Sequence, residues 1–182
     1  MDGSIHQYRD YKYKIFSGWL DIEDVGIFLD HIRKISRDTG IEIVIIDADY
    51  IVSLDNLIYA VMKAIDSWIE KRNVAKTLSM EVLLYVSATR QIKDAIRVGV
   101  KEGRNRVYLV LIGSNTDLEK IGRESEIIPR FTPEKFDINL DSINLRKIME
   151  MYDIDGDELR IVGLDKLDML IRERMVLFEL NK

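Results

Sequence analysis

The sequence predicts an α+β chain, a single domain over residues 1–182 built as a two-layer sandwich in which helices pack on a mixed sheet. Three observations carry this. β-Branched apolar runs such as Ile41–Ile46 and Val107–Ile112 are short and continuous, as buried strands are. Other stretches space their apolar residues three and four apart, the period of an amphipathic helix. Strands and helices alternate, but the strands are too few for a doubly wound sheet. With 47% apolar residues, scattered glycines and prolines, and no internal repeat, low-complexity tract or linker, a chain of 182 residues has room for its own core.

From the N-terminus, Tyr8 to Trp19 alternates aromatic and charged residues, with Tyr11, Tyr13 and Ile15 on one face, and is predicted as a strand. Asp21 is expected to cap a helix in which Val25, Phe28, Leu29, Ile32 and Ile35 recur at helical spacing, stopped by Gly40. The strand Ile41–Ile46 runs into Asp47-Ala48-Asp49. Ser53 opens the clearest helix, whose stripe is Leu57, Ile58, Val61, Ala64, Ile65 and Trp68. Residues 76–87 fit a helix through Leu78, Val82 and Tyr85, or a short buried strand over Val82–Val86; the helix is preferred. The strand Val107–Ile112 is entered through the turn Gly103-Arg104-Asn105 and left at Gly113-Ser114-Asn115, where Ser114 or Asn115 caps a short helix through Arg123. Pro129 and Pro133 bracket an extended piece. Helices follow over about 141–151 and 165–175, with a short helical turn between them.

The stretch Leu78 to Ile96 is the most informative. Placed on a helix at about 100° per residue, residues 89–101 set Ile92, Ala95, Ile96 and Gly99 on one side and Arg90, Lys93 and Arg97 on the other. A core stripe is thus backed by a cationic one. In a chain of net charge -5 such a stripe suits a polyanion, although an ordinary solvated helix face has the same geometry. Lys101, Arg104 and Arg106 extend the cationic line, and Lys71, Arg72 and Lys76 flank it from the preceding helix end. The candidate RNA-binding residues are Arg72, Lys76, Arg90, Gln91, Lys93, Arg97, Lys101 and Arg104, gripping single-stranded RNA chiefly by its backbone. Tyr85 and Tyr108 are the nearest rings, and both sit in apolar runs that suit a core.

The same stretch resembles a known family. Read as Glu-apolar-Leu-Leu-Tyr-x-Ser-x-x-Arg-Gln-Ile-x-x-Ala-Ile-x-x-x-Gly, it is similar to the central signature of the PRPK-binding-protein family. Those proteins are the small, non-catalytic subunits of the KEOPS complex, which helps make threonylcarbamoyladenosine in tRNA. Glu81, Leu83, Leu84, Tyr85, Ser87, Arg90, Gln91, Ile92, Ala95, Ile96, Gly99 and Lys101 match it in order. Asp47-Ala48-Asp49 with Leu57 and Ala60 resembles an upstream block, and Arg172 to Leu177 the C-terminal end. Two departures stand out: Asn56 occupies a place where many members carry histidine, and Tyr50-Ile51-Val52-Ser53 lacks the glycine expected after Asp49. The resemblance implies binding to the single-stranded 3′ end of tRNA and to the small kinase-fold ATPase of the complex, with no activity and no cofactor of its own. The C-terminal stretch Leu164, Leu167, Leu170, Ile171, Met175 and Phe178 carries more apolar positions than one helix face needs. Leu170, Arg174, Met175 and Phe178 are therefore candidate partner contacts, against the alternative of a helix packed on its own domain.

Composition and motifs narrow the remaining classes. The chain has no cysteine, which excludes disulfides, thiol catalysis and cysteine-bound zinc. No stretch approaches the roughly 18 uninterrupted apolar residues of a membrane span, and the acidic start Met1-Asp2-Gly3-Ser4 is no signal peptide, so a cytoplasmic location is expected. Few glutamines and 32% charged residues lean toward a heat-adapted, archaeal-like source. The strand ending in Asp47-Ala48-Asp49 resembles the nucleophile motif of haloacid-dehalogenase-type enzymes, which makes a magnesium-dependent phosphohydrolase using Asp47 and Asp49 the alternative function. Asp155-Gly156-Asp157 could supply the magnesium ligands, yet Ile51 stands in the place of a small partner and no Gly-Asp-x-x-x-Asp follows. Asp153 to Glu158 has the wrong glycine register for a calcium loop, and Asp155 with Glu158 reads as a capping box. His6 and His31 lie in different elements. No metal site and no active site are predicted.

Overall fold

Arg9 adopts a left-handed φ of 54° and turns the N-terminal segment back on itself. The expected single strand is therefore a hairpin of β1 (His6–Tyr8) and β2 (Tyr11–Ile22). In this computed structural model, which describes residues 5–114, 128–136 and 144–182, the sheet is completed by β3 (Glu42–Asp47), β4 (Gly103–Ser114) and β5 (Phe131–Pro133). Strands run in the order β1-β2-β4-β3, with β5 beside Gly18–Leu20 of β2. Every pairing among these strands is antiparallel, where a mixed sheet was expected. The reason is topological: helix α1 (Val25–Thr39) joins β2 to β3, but β4 lies between the two and runs against both. The α+β class itself stands.

The predicted turn Gly103-Arg104-Asn105 is instead the start of β4, paired with β2 from Ile22↔Gly103 to Tyr11↔Ser114. That pairing also moves the cap of α1. Asp21 is still inside β2, opposite Arg104, and Asp24 caps the helix, its Oδ1 accepting from Ile27 N at 2.8 Å. Gly40 ends α1 at φ 72°, as expected, its N–H donating to Ser36 O at 2.9 Å. One face of the sheet, carrying Phe16, Leu20, Ile43, Ile45, Val107, Leu109 and Leu111, packs with Ile32, Ile128 and Phe131. Val25, Phe28 and Ile35 of α1 close over this layer. Gly18 permits the approach of β5, because a Cβ there would lie 2.4 Å from Thr132 O.

Two compact units share the chain: Met1–Ala48 with Gly99–Phe136, and Asp49–Val98 with Asp137–Lys182. The sheet and α1 form the first. The second is helical. After a 3-10 turn at Ala48–Tyr50, Ser53 caps α2 (Leu54–Ile69), its Oγ accepting from Asn56 N at 3.1 Å. Thr77 caps α3 (Leu78–Val86), so the ambiguous stretch is helical, and α4 (Ile92–Ala95) follows. Among the described residues, three further helices belong to the unit: α5 (Leu145–Tyr152), α6 (Gly156–Val162) and α7 (Leu167–Leu180), with α7 packed on α2 and α3. Gly113 and Ser114, expected as a turn, are the last residues of β4, while the helix expected to run on to Arg123, and residues 141–143 of the one expected from 141, lie outside the described residues.

One predicted stripe is overturned. Ala88, at φ 48°, stops α3, and only the single turn of α4 and a 3-10 turn at Ile96–Val98 follow. Ala95 and Val98 are the buried positions, while Ile92 and Ile96 are exposed. No helix among the described residues is long and apolar enough to cross a membrane.

Candidate RNA and partner surfaces

The signature residues converge on the end of α7. Glu81, fully buried, accepts hydrogen bonds from the N–H groups of Val74 (3.0 Å) and Ala75 (2.9 Å) and from Ser67 Oγ (3.1 Å). Its last partner is Lys182, whose ammonium forms a buried ion pair with it and lies 4.5 Å from the Tyr85 ring centre. Tyr85 packs edge-on against Phe178 and donates its hydroxyl to Glu179. Arg90 Nη1 donates to Asn181 O at 2.6 Å. Three signature side chains thus hold Phe178, Glu179, Asn181 and Lys182, and Arg90 places a cation at the C-terminal end of α7, where the helix dipole favours one.

The turn between α3 and α4 borders a concavity of about 450 Å³. Ser87, Arg90 and Gln91 line it from the signature, with Met151, Asp153, Leu177 and Phe178 across from them. Gln91 and Lys93 are exposed.

A family description, kinase binding protein CGI-121, matches residues 21–178. The chain belongs to the CGI-121 family. The KEOPS complex subunit Cgi121 of Pyrococcus abyssi is 39% identical over 54 residues, which is 29% of this chain and 32% of that protein. The match therefore spans about a third of that relative.

The candidate RNA and partner residues fall into distinct places here. Arg72 is held by Glu179 (2.6 Å) and Glu70, whose hydrogen bonds, Glu179's first, raise its guanidinium above the usual range. Arg97 is paired with Glu150. Lys76 and Lys93 are exposed, and among the described residues neither has a carboxylate at ion-pair distance. Lys101 and Arg104 belong to the sheet unit, so the cationic line is not one helix face. Of the partner residues, Leu170, Met175 and Phe178 are buried in their own unit, and Arg174 is engaged by Glu158 at 2.6 Å. Leu170, Met175 and Phe178 cannot serve as exposed anchors, because they are buried on the core side of α7, with Phe178 packed on Tyr85 of α3. Asn56, the departure from the family histidine, donates to Asp168 O (2.9 Å) and accepts from Arg172 Nε (3.1 Å), pinning the start of α2 to α7.

The carboxylates of the alternative function are engaged. Asp47 ends β3 opposite Val107, and Asp49 pairs with Lys147 at 2.8 Å. Asp155 caps α6 through Asp157 N and Glu158 N, while Glu158 turns to Arg174 instead of closing a capping box. Among the described residues no group of three His, Cys, Asp or Glu is placed to hold a metal. His6 stacks on Tyr13 at 5.2 Å, and Tyr85 and Tyr108 are core, as expected.

Two features escaped the sequence reading. The first is the outer face of α7, where Met169 (65% exposed), Val176 and Leu180 (75% exposed) make a second apolar stripe. Ending the helix near residue 175 hid it, because the steps 169, 176, 180 form a stripe only on a helix that runs on to Leu180. The second is Trp19, whose indole lies 4.4 Å under the Arg104 guanidinium; a contact set by strand register leaves no local sequence pattern.

Proposed function

We propose that this chain is a non-catalytic accessory subunit of a KEOPS-type complex in threonylcarbamoyladenosine formation, holding the single-stranded 3′ end of tRNA and docking on the small kinase-fold ATPase. Membership of the CGI-121 family and the likeness to a KEOPS subunit support the accessory role. One observation carries the RNA reading: the signature turn presents Arg90 and Gln91 at a concavity whose other wall is Met151, Leu177 and Phe178. Guanidinium and ammonium donors take phosphate oxygens, a carboxamide takes a base edge, and an apolar wall receives an unstacked ring. Lys93 and Lys76 add cations that no carboxylate in the described residues neutralises.

The outer stripe of α7 supports the partner reading. Met169, Val176 and Leu180 are apolar and exposed, with exposed Glu173 among them, the pattern of an amphipathic helix laid into a partner's groove.

Removing the 3′ terminal nucleotides of tRNA should weaken binding by about tenfold or more, the worth of a stacked base. Lys76→Glu with Lys93→Glu should do likewise and leave the melting curve in place, since both side chains are exposed and neither has an ion-pair partner among the described residues. Equal affinity for trimmed and intact tRNA overturns the RNA reading. Met169→Glu with Leu180→Glu should abolish association with the kinase-fold subunit and spare RNA; a retained complex overturns the partner reading.

A further inference from the structure

We propose that the Trp19–Arg104 stack on the sheet is a second contact for single-stranded RNA, one that engages bases by stacking. Register sets its geometry: Trp19 pairs with Arg106, and Asp21 with Arg104, so these four side chains share the sheet face opposite the one closed by α1. Arg104 lies over the indole at 4.4 Å and Arg106 over Phe136 at 5.2 Å. Phe136 in turn meets Trp19 edge-on at 6.0 Å. Glu134 accepts from the indole Nε1–H at 3.0 Å and fixes the ring's orientation.

The ligand class follows from what is left open. Trp19 is half-buried and Arg104 exposed. Among the described residues no carboxylate lies within ion-pair distance of Arg104, although Asp21 is its cross-strand neighbour. A guanidinium already held over an indole presents its other side as a stacking plane for a base and its edge N–H groups to phosphate. Exposed Lys101 and Lys135, in the same unit, add positive charge to a protein whose net charge is -5. An acidic peptide would satisfy the charges and leave the rings idle, whereas single-stranded RNA uses both. The inference goes beyond the 3′-end reading, since its residues lie in the sheet unit and its test uses no tRNA.

The test is a titration of the full chain with an oligoadenylate of about eight nucleotides, within the span of known single-strand sites. The readout is the Nε1–H resonances of the two tryptophans by NMR. Trp68→Phe and Trp19→Phe each give the assignment, so either variant suffices if the other folds poorly. The Trp19 resonance should shift and saturate, with affinity falling as salt rises. Arg104→Ala should weaken binding about tenfold, and Arg104→Lys should not restore it, because an ammonium keeps the charge without the plane. A still Trp19 resonance, an affinity unchanged in Arg104→Ala, or an equal response to a glutamate hexamer overturns the proposal.

Discussion

Glu81 shows how much a single side chain can hold in place. Fully buried, it binds two backbone N–H groups, a hydroxyl and the Lys182 ammonium across 101 residues of sequence. A buried carboxylate is tolerable only while its partners remain, and breaking such a pair costs about 3–5 kcal/mol. Lys182→Met should therefore lower unfolding free energy by about 3 kcal/mol in urea, and adding Glu81→Gln should recover part of that by removing the orphaned charge. Additive losses in the double variant would mean the two side chains act separately. Nothing local in the sequence announces this pair, because an ion pair that distant leaves no periodicity; the core placement of Tyr85 and Tyr108, by contrast, was legible from their apolar neighbours. Those tyrosines carry a second prediction. Burial pushes the Tyr108 phenol up to about 12, with Arg106 pulling slightly the other way, and burial holds Tyr152 above the usual phenol range while it donates to Val86 O. The folded state thus keeps these protons longer than the unfolded one, so full stability is present below about pH 10 and is lost as pH climbs toward 12. The urea midpoint should begin to fall near pH 10; a flat midpoint to pH 12 would contradict the burial of Tyr108.

At the scale of elements, apolar period located helices and strands well, and their ends poorly. Both Asp21 and Asp24 precede the stripe of α1, and each has the chemistry of a cap. Pairing of β2 with β4 through Ile22↔Gly103 consumes Asp21 as a strand residue and leaves the cap to Asp24. Asp24→Ala should cost about 0.5–2 kcal/mol of stability, while Asp21→Ala should fall within about 0.5 kcal/mol of wild type, as exposed substitutions do. Similar losses at the two positions would put the helix start back at Asp21. The same logic explains α4 and α7. Residues 89–101 have helical spacing, yet the left-handed Ala88 and the path toward β4 allow only one α-turn. In α7 the surplus of apolar positions was visible, but dividing them between a core side (Leu170, Ile171, Met175, Phe178) and an outer side (Met169, Val176, Leu180) requires knowing which neighbours the helix meets.

At the scale of the whole molecule, the chain leaves the sheet unit at Ala48, returns at Gly99 and leaves again at Phe136. These passages fall at the end of β3, after the Ile96–Val98 turn and after β5, where the sequence shows no change of composition, so no boundary could be read from it. Each unit consequently joins two stretches distant in sequence. In the helical one, the partners of the first stretch come from the second: Phe178 for Tyr85, Lys182 for Glu81, and Asp168 and Arg172 for Asn56. Without them, α2 and α3 retain a buried carboxylate and a buried carboxamide with lost partners, each a cost of about 1–3 kcal/mol or more. That penalty exceeds what a two-helix pair can offset, since short helices owe most of their stability to tertiary packing. A peptide of residues 49–98 should therefore show no cooperative thermal transition by circular dichroism. Mixing it with a separate peptide of residues 137–182 should restore one, and the restored transition should depend on concentration, because joining the stretches is then bimolecular. The Lys182→Met version of the second peptide should rescue less. A cooperative melt of residues 49–98 alone would mean that α2 and α3 already form a self-sufficient core, and that α7 is an addition to the helical unit instead of part of its foundation.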